Sequence, residues 1–192
     1  MFEAVALGRV LDEKEYAELL PKLRTELLEL QRRLVQSGRS VVVLLQGFDG
    51  AGRGEVLNLM HEWLDARYLV TEALGKPTEE ERERPPYWRF WMTLPPRGRI
   101  GIFFGGWYGE PLVDSALGKI SSRDMDIAMA RARSFEQSLV DDGALIVKFW
   151  LYIDKSEQRR RFDKLAKKKR AWPVTKQDWR HHELYADFRS SA

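Results

Sequence analysis

The sequence predicts an α/β domain built on a parallel β-sheet with helices on both faces, and three observations carry that expectation. Residues 41 to 45, Val-Val-Val-Leu-Leu, form an apolar run without polar alternation, which is how a strand buried on both faces reads. A glycine-rich turn, residues 46 to 54, follows at once, and from Glu55 the apolar residues Val56, Leu57, Met60, Trp63 and Leu64 recur at helical spacing. Strand and helix patterns then alternate along the chain, the order that builds a parallel sheet.

Each element has its own signal. Tyr16, Leu19, Leu20, Leu23, Leu27, Leu30 and Leu34 repeat at helical spacing, so residues 1 to 40 read as a helical segment. Asp12 followed by Glu15 resembles a capping arrangement, Pro21 is expected to open a fresh helix after a turn, and Gly38 to end it. Further strands are expected at residues 68 to 74, 100 to 104 and 144 to 153, with a helix over 123 to 140. Residues 41 to 192 then form the main body, one domain overall. No fifth strand follows residue 153, so the last strand of the sheet is expected to be missing, leaving 144 to 153 as an exposed edge and the protein prone to self-association.

Composition limits the function. The 192-residue chain has no cysteine, which removes disulfides and thiolate metal sites, and its three histidines make a poor zinc set. The first ten residues have no basic-then-apolar leader and no later stretch is long and apolar enough for a bilayer, so a cytoplasmic protein without membrane partners is expected. A net charge of +3 names no partner, and none among nucleic acids is expected.

The most informative segment is Gln46-Gly47-Phe48-Asp49-Gly50-Ala51-Gly52-Arg53-Gly54-Glu55. Its spacing after a strand is that of a P-loop kinase, where glycines let backbone N–H groups face a phosphate and the following helix presents its positive end. The usual Lys before Ser or Thr is replaced by Arg53 before Gly54. A tight strand-to-helix connection without ligand is the alternative reading of the same glycines.

Taken with the segments Lys76-Pro77-Thr78-Glu79-Glu80-Glu81, Arg89 through Leu94-Pro95, Trp107-Tyr108, Lys148-Phe149-Trp150-Leu151, and Glu157-Gln158 with Arg161-Phe162, this loop resembles the polyphosphate kinase 2 family. Residues 84 to 91 and 101 to 105 resemble most the amino-terminal half of two-domain polyphosphate:AMP phosphotransferases. The resemblance implies a thymidylate-kinase-like three-layer sandwich that moves a phosphoryl group between inorganic polyphosphate and AMP or ADP, using Mg²⁺ and a helical lid. It implies catalytic roles for Asp49, Arg53 and Arg89, a metal contact at Asp49, and phosphate or nucleotide binding by Gly47, Gly50, Gly52, Arg53, Gly54 and Lys76.

The sequence departs from that family at defined places. Arg53 replaces the loop lysine, exchanging a compact ammonium for a planar fork. After the third strand the family has aspartate and arginine, then Ser-Trp-Tyr-Asn-Arg, where this chain reads Phe104, Gly105, Gly106, Trp107, Tyr108, Gly109, Glu110. Losing a metal-organising carboxylate and gaining Glu110 near phosphates should weaken transfer. Two functions follow: a polyphosphate kinase 2 transferase domain, catalytically impaired, or a non-catalytic structural or regulatory partner of an active kinase domain, within a homo-oligomer or beside that partner.

Other motifs read more plainly. Arg159-Arg160-Arg161 and Lys167 to Arg170 could draw a polyanion or be a solvated helix face. Trp88, Trp91, Trp107 and Trp150 are expected to pack in the core, and His181-His182 to lie on the surface.

Overall fold

A computed structural model describes residues 10–167 and 174–192, so the lysine and arginine run at 168 to 170 lies outside the described residues. The chain runs α1 (Glu13–Gln36), β1 (Val41–Gly47), α2 (Arg53–Trp63), β2 (Leu69–Glu72), α3 (Glu79–Glu83), α4 (Trp88–Trp91), β3 (Ile100–Phe104), α5 (Gly109–Ala116), α6 (Ser122–Asp141), β4 (Leu145–Leu151), α7 (Lys155–Lys167), α8 (Lys176–Glu183) and α9 (Tyr185–Ser191). The four strands form one parallel sheet in the order β2-β3-β1-β4. No described helix is long and apolar enough to cross a membrane.

The pleat of β1 explains the layers. Val42 and Leu44 point to one face and pack with Phe103, Trp107 and the α6 residues Ala132, Phe135 and Leu139. Val43 and Leu45 point to the other, where Ile100, Ile102, Leu27 and Leu34 of α1, and Val56, Leu57 and Met60 of α2 meet them. Both faces are covered, which is why β1 could be written without polar residues. Each such buried aliphatic side chain contributes about 1.5–3 kcal/mol.

Helix α1 departs from expectation: it runs unbroken through Pro21. The carbonyl that loses its amide donor to the proline is that of Ala17, an exposed residue in a stretch exposed from residue 11 to 19, so water can satisfy it. Asp12 caps the start by accepting from Lys14 N at 2.8 Å, and Gly38 follows the end with φ 67°.

β1 lies between β3 and β4, the point where strand order reverses, and ligands of open parallel sheets gather beyond the carboxyl ends of such strands. β4 is an edge, and Leu145, Phe149 and Trp150 on it are 56%, 45% and 36% exposed. A long apolar edge invites pairing with another chain. Light scattering should therefore show a mass that rises with concentration and falls toward the monomer in Phe149→Lys; a wild-type monomer at all concentrations would contradict this.

Candidate functional site

β1 delivers the glycine-rich turn to the carboxyl edge of the sheet, and the fold itself needs two of its glycines. Gly47 has φ 136°, and a Cβ there would lie 2.1 Å from the Leu151 carbonyl oxygen of the adjacent strand. Gly50 has φ 77° and would meet the Phe162 ring at 2.9 Å. Gly52 stands at the N-cap of α2, whereas Gly54 sits inside α2 with open space around it. Gly54 is thus a loop glycine whose side-chain position the packing leaves open.

Asp49 is the centre of the loop. Arg53 Nη2 donates to its Oδ1 at 2.6 Å, and His181 Nδ1 lies 2.7 Å from its Oδ2. Its main-chain carbonyl accepts from Gln158 Nε2 at 2.9 Å, and the next carbonyl, of Gly50, accepts from Arg161 Nη1 at 3.0 Å. Burial by itself would raise the Asp49 pKa, but the His181 hydrogen bond and the Arg53 and His181 charges outweigh it and hold the carboxyl below its ordinary 3.8. Asp49 is therefore ionised at neutral pH. Arg53 also lies over the Phe104 ring, 5.2 Å from its centroid. The two replacements noted from sequence, at 53 and 104, pack on each other.

His181 and His182 correct the sequence expectation, since neither is a bare surface residue. His181 has a side chain 13% exposed, and His182, 6% exposed, places Nδ1 2.7 Å from Oε1 of the buried Gln158. With Gln158 Nε2 committed to Asp49, its Oε1 must accept, so His182 carries its proton on Nδ1. Two consecutive residues of α8 thus hold one loop residue, His181 by its carboxylate and His182 through Gln158 by its main chain. The signal was present: His182 falls three residues from both Trp179 and Tyr185, and Trp179 and Phe162 meet edge-on at 5.3 Å beneath it.

Arg89 and Lys76 stand apart from this cluster. Asp49, Arg53 and Gly47 line a pocket of about 100 Å³, while Lys76 and Arg89 line a neighbouring cleft of about 1110 Å³. The two share Gly105, Gly109, Val113 and His181. Arg89 is 13% exposed, donates to the Gly75 carbonyl at 3.0 Å and sits 3.6 Å from Glu81, leaving its Nε without a hydrogen bond. Glu81 in turn closes the capping box with Thr78, so the acidic run is an ordered turn that positions Arg89. Lys76, Arg82, Arg131, Lys176 and Arg180 also line the cleft and form no ion pair with a described residue.

A second brace was missed from sequence. Glu136 accepts from Trp107 Nε1 at 3.1 Å, Tyr108 Oη at 2.8 Å and Lys148 Nζ at 2.6 Å, fixing the β3–α5 loop. A carboxylate inside the Ala132, Phe135, Leu139 stripe was the available sign. Trp107 packs in the core as expected, but Trp91 and Trp150 are 49% and 36% exposed. Of the basic run, Arg159 lies over Trp179, Arg160 pairs with Glu157, and Arg161 binds Glu157 and the loop.

A magnesium ion keeps most of its waters and takes one or two carboxylates beside phosphate oxygens, so Asp49 is the residue of this loop that would hold one, and it would first have to release its present partners. Both Asp49 oxygens are committed, β3 ends in Phe104, and no three His, Asp or Glu side chains converge among the described residues.

A parallel sheet carrying this turn at the end of a central strand defines a P-loop kinase fold. The sequence matches the Polyphosphate kinase 2 (PPK2) family over residues 10–192, and the chain belongs to that family. It is 40% identical over 190 residues to a polyphosphate:AMP phosphotransferase of Pseudomonas aeruginosa, covering 98% of this chain and 38% of that protein. To a GDP-polyphosphate phosphotransferase of Mycobacterium tuberculosis it is 34% identical over 80% of this chain and 52% of the relative. A crystal structure of polyphosphate kinase 2 from Arthrobacter aurescens superposes with TM-score 0.87 at 25% identity, covering 96% of this chain and 68% of that one. The chain thus spans little more than a third of the Pseudomonas phosphotransferase.

Two outcomes follow from the loop contacts. Gly47→Ala should lower stability by more than about 3 kcal/mol or abolish soluble expression, because backbone of β1 or β4 must shift; an unchanged melting temperature would contradict the register of these strands. Burial, then the positive charges of Lys155 and Arg159, push His182 below its ordinary 6.5. Stability from that group is complete above about pH 6.5 and lost as pH falls through the folded value, since unfolding takes up a proton. The fall in melting temperature between pH 7 and pH 5 should be smaller in His182→Gln; an equal fall would place the titration elsewhere.

Proposed function

We propose that this chain is a phosphate-chain-binding domain of polyphosphate kinase 2 type whose own phosphoryl transfer is impaired, serving a structural or regulatory role beside an active kinase domain in the cytoplasm. One observation carries the reading: the carboxylate and cation of the loop are spent on each other and on the chain itself, Asp49 with Arg53 and His181, and Arg53 with Phe104. Transfer depends on neutralising charge on the moving group, and a loop whose cation already serves an internal anion contributes little to that. The Pseudomonas relative's name gives polyphosphate and AMP as its reactants, which supports the same ligand classes, with ADP as a further acceptor, for the cleft here. Lys76, Arg82, Arg131, Lys176 and Arg180 supply the positive lining a phosphate chain requires, and Arg89 the buried wall beneath it.

The second reading, an active transferase, is favoured by one feature, the continuity of this cleft with the loop pocket. Incubation with polyphosphate, Mg²⁺ and AMP or ADP separates the two. The chain should release almost no nucleotide product, and turnover in the range of about 1–100 per second would overturn the reading. Inorganic tripolyphosphate should still bind in a salt-sensitive manner, and Lys176→Ala with Arg180→Ala should weaken it roughly tenfold or more.

A further inference from the structure

His181 is a wall of both the loop pocket and the basic cleft. Its Nδ1 holds Asp49 at 2.7 Å, its Nε2 stands 3.5 Å from the Gln177 amide, and its ring lies 4.9 Å from Phe188 of α9. Phe188 and the carboxy-terminal Ala192 line the loop pocket as well, so α8 and α9 together cover it. We infer that His181 is the gate between cleft and loop: its bond to Asp49 latches α8 and α9 over the glycine-rich turn, and a phosphate group seated on that turn releases them.

The physical reason is a competition for donors. A phosphate at the loop would stand beside the ionised Asp49 carboxylate, and like charges that close repel unless something neutralises one of them. The donors placed to do so are Arg53 and His181, both now serving Asp49. Seating an anion therefore exchanges partners: Arg53 and His181 turn to the phosphate oxygens, α8 is pulled with its histidine, and the Asp49 carboxylate, uncovered as α8 and α9 lift, is hydrated in their place. Since His182 is tied through Gln158 to the Asp49 carbonyl, α8 cannot turn without loosening that second tie. Loop occupancy and docking of α8 and α9 are then coupled, and the coupling is reciprocal. The inference rests on the phosphate-binding reading only for the identity of the ligand; the latch itself is a property of the free chain.

Hydrogen–deuterium exchange of the full chain tests it, in wild type, His181→Phe, which keeps a ring against Phe188, Asp49→Asn, which keeps the shape of the side chain, and the double variant. Without ligand, amides of residues 176 to 191 should exchange about tenfold faster in either single variant, and no faster in the double, because both remove the same bond. Tripolyphosphate should speed these amides in wild type and leave them unchanged in His181→Phe. Unchanged exchange in His181→Phe, or additive acceleration in the double variant, would overturn the latch. If tripolyphosphate proves not to bind at all, the phosphate reading falls and release by phosphate with it, while the ligand-free comparison still decides whether His181 holds α8.

Discussion

The arrangement depends on one carboxylate. Asp49 lies just beyond β1 and meets α2 through Arg53, α8 through His181 and α7 through the Gln158 contact to its carbonyl, so three helices are referred to a single residue. A largely buried, ionised group must be fully partnered, because leaving one charge unanswered costs several kcal/mol. Here the partners come from sequence separations of 4, 109 and 132 residues. One residue thereby ties the turn to helices from both ends of the chain's sheet-forming region.

The same constraint gives sense to the departures from the family pattern. Arginine at 53 can reach Asp49 and present its flat face to an aromatic ring at once, which a lysine ammonium does less well. Phenylalanine at 104 supplies that ring from the end of β3. A cation, an anion and a ring form one contact set, which accounts together for the residues at 53 and 104. Glu110, exposed in the first turn of α5, stands outside the set and lines only the cleft.

Local pattern was legible, and long-range pairing was not. The strand at 41, the glycine-rich turn and the helix after it could be read because burial on both faces and helical spacing leave direct marks on neighbouring residues. The open edge at β4 was expected because no further strand pattern follows residue 153, whereas the strand order was not read from the sequence. The break expected at Pro21 did not occur: the helix runs on through the proline, the carbonyl that loses its donor, that of Ala17, faces water, and that exposure is not visible in the residue itself. The site was half legible: Asp49, Arg53 and the glycines announced themselves by spacing, while His181, His182, Gln158 and Glu136 did not. Those four act across the chain, and their only local trace is a polar residue placed within an apolar stripe. The two histidines looked ordinary because the partners that bury them are distant in sequence, Asp49 132 residues from His181 and Gln158 24 residues from His182.

The most direct test is the imidazole of His181 observed by solution nuclear magnetic resonance with nitrogen-15 labelling. An Nδ1 proton donated to a buried carboxylate is shielded from water and resonates far downfield, so the account predicts a slowly exchanging signal assigned to His181 that disappears in Asp49→Asn. A His181 ring proton that exchanges freely with water in the wild-type chain, or a signal indifferent to Asp49→Asn, would show that the carboxylate is not the point on which the fold is hung.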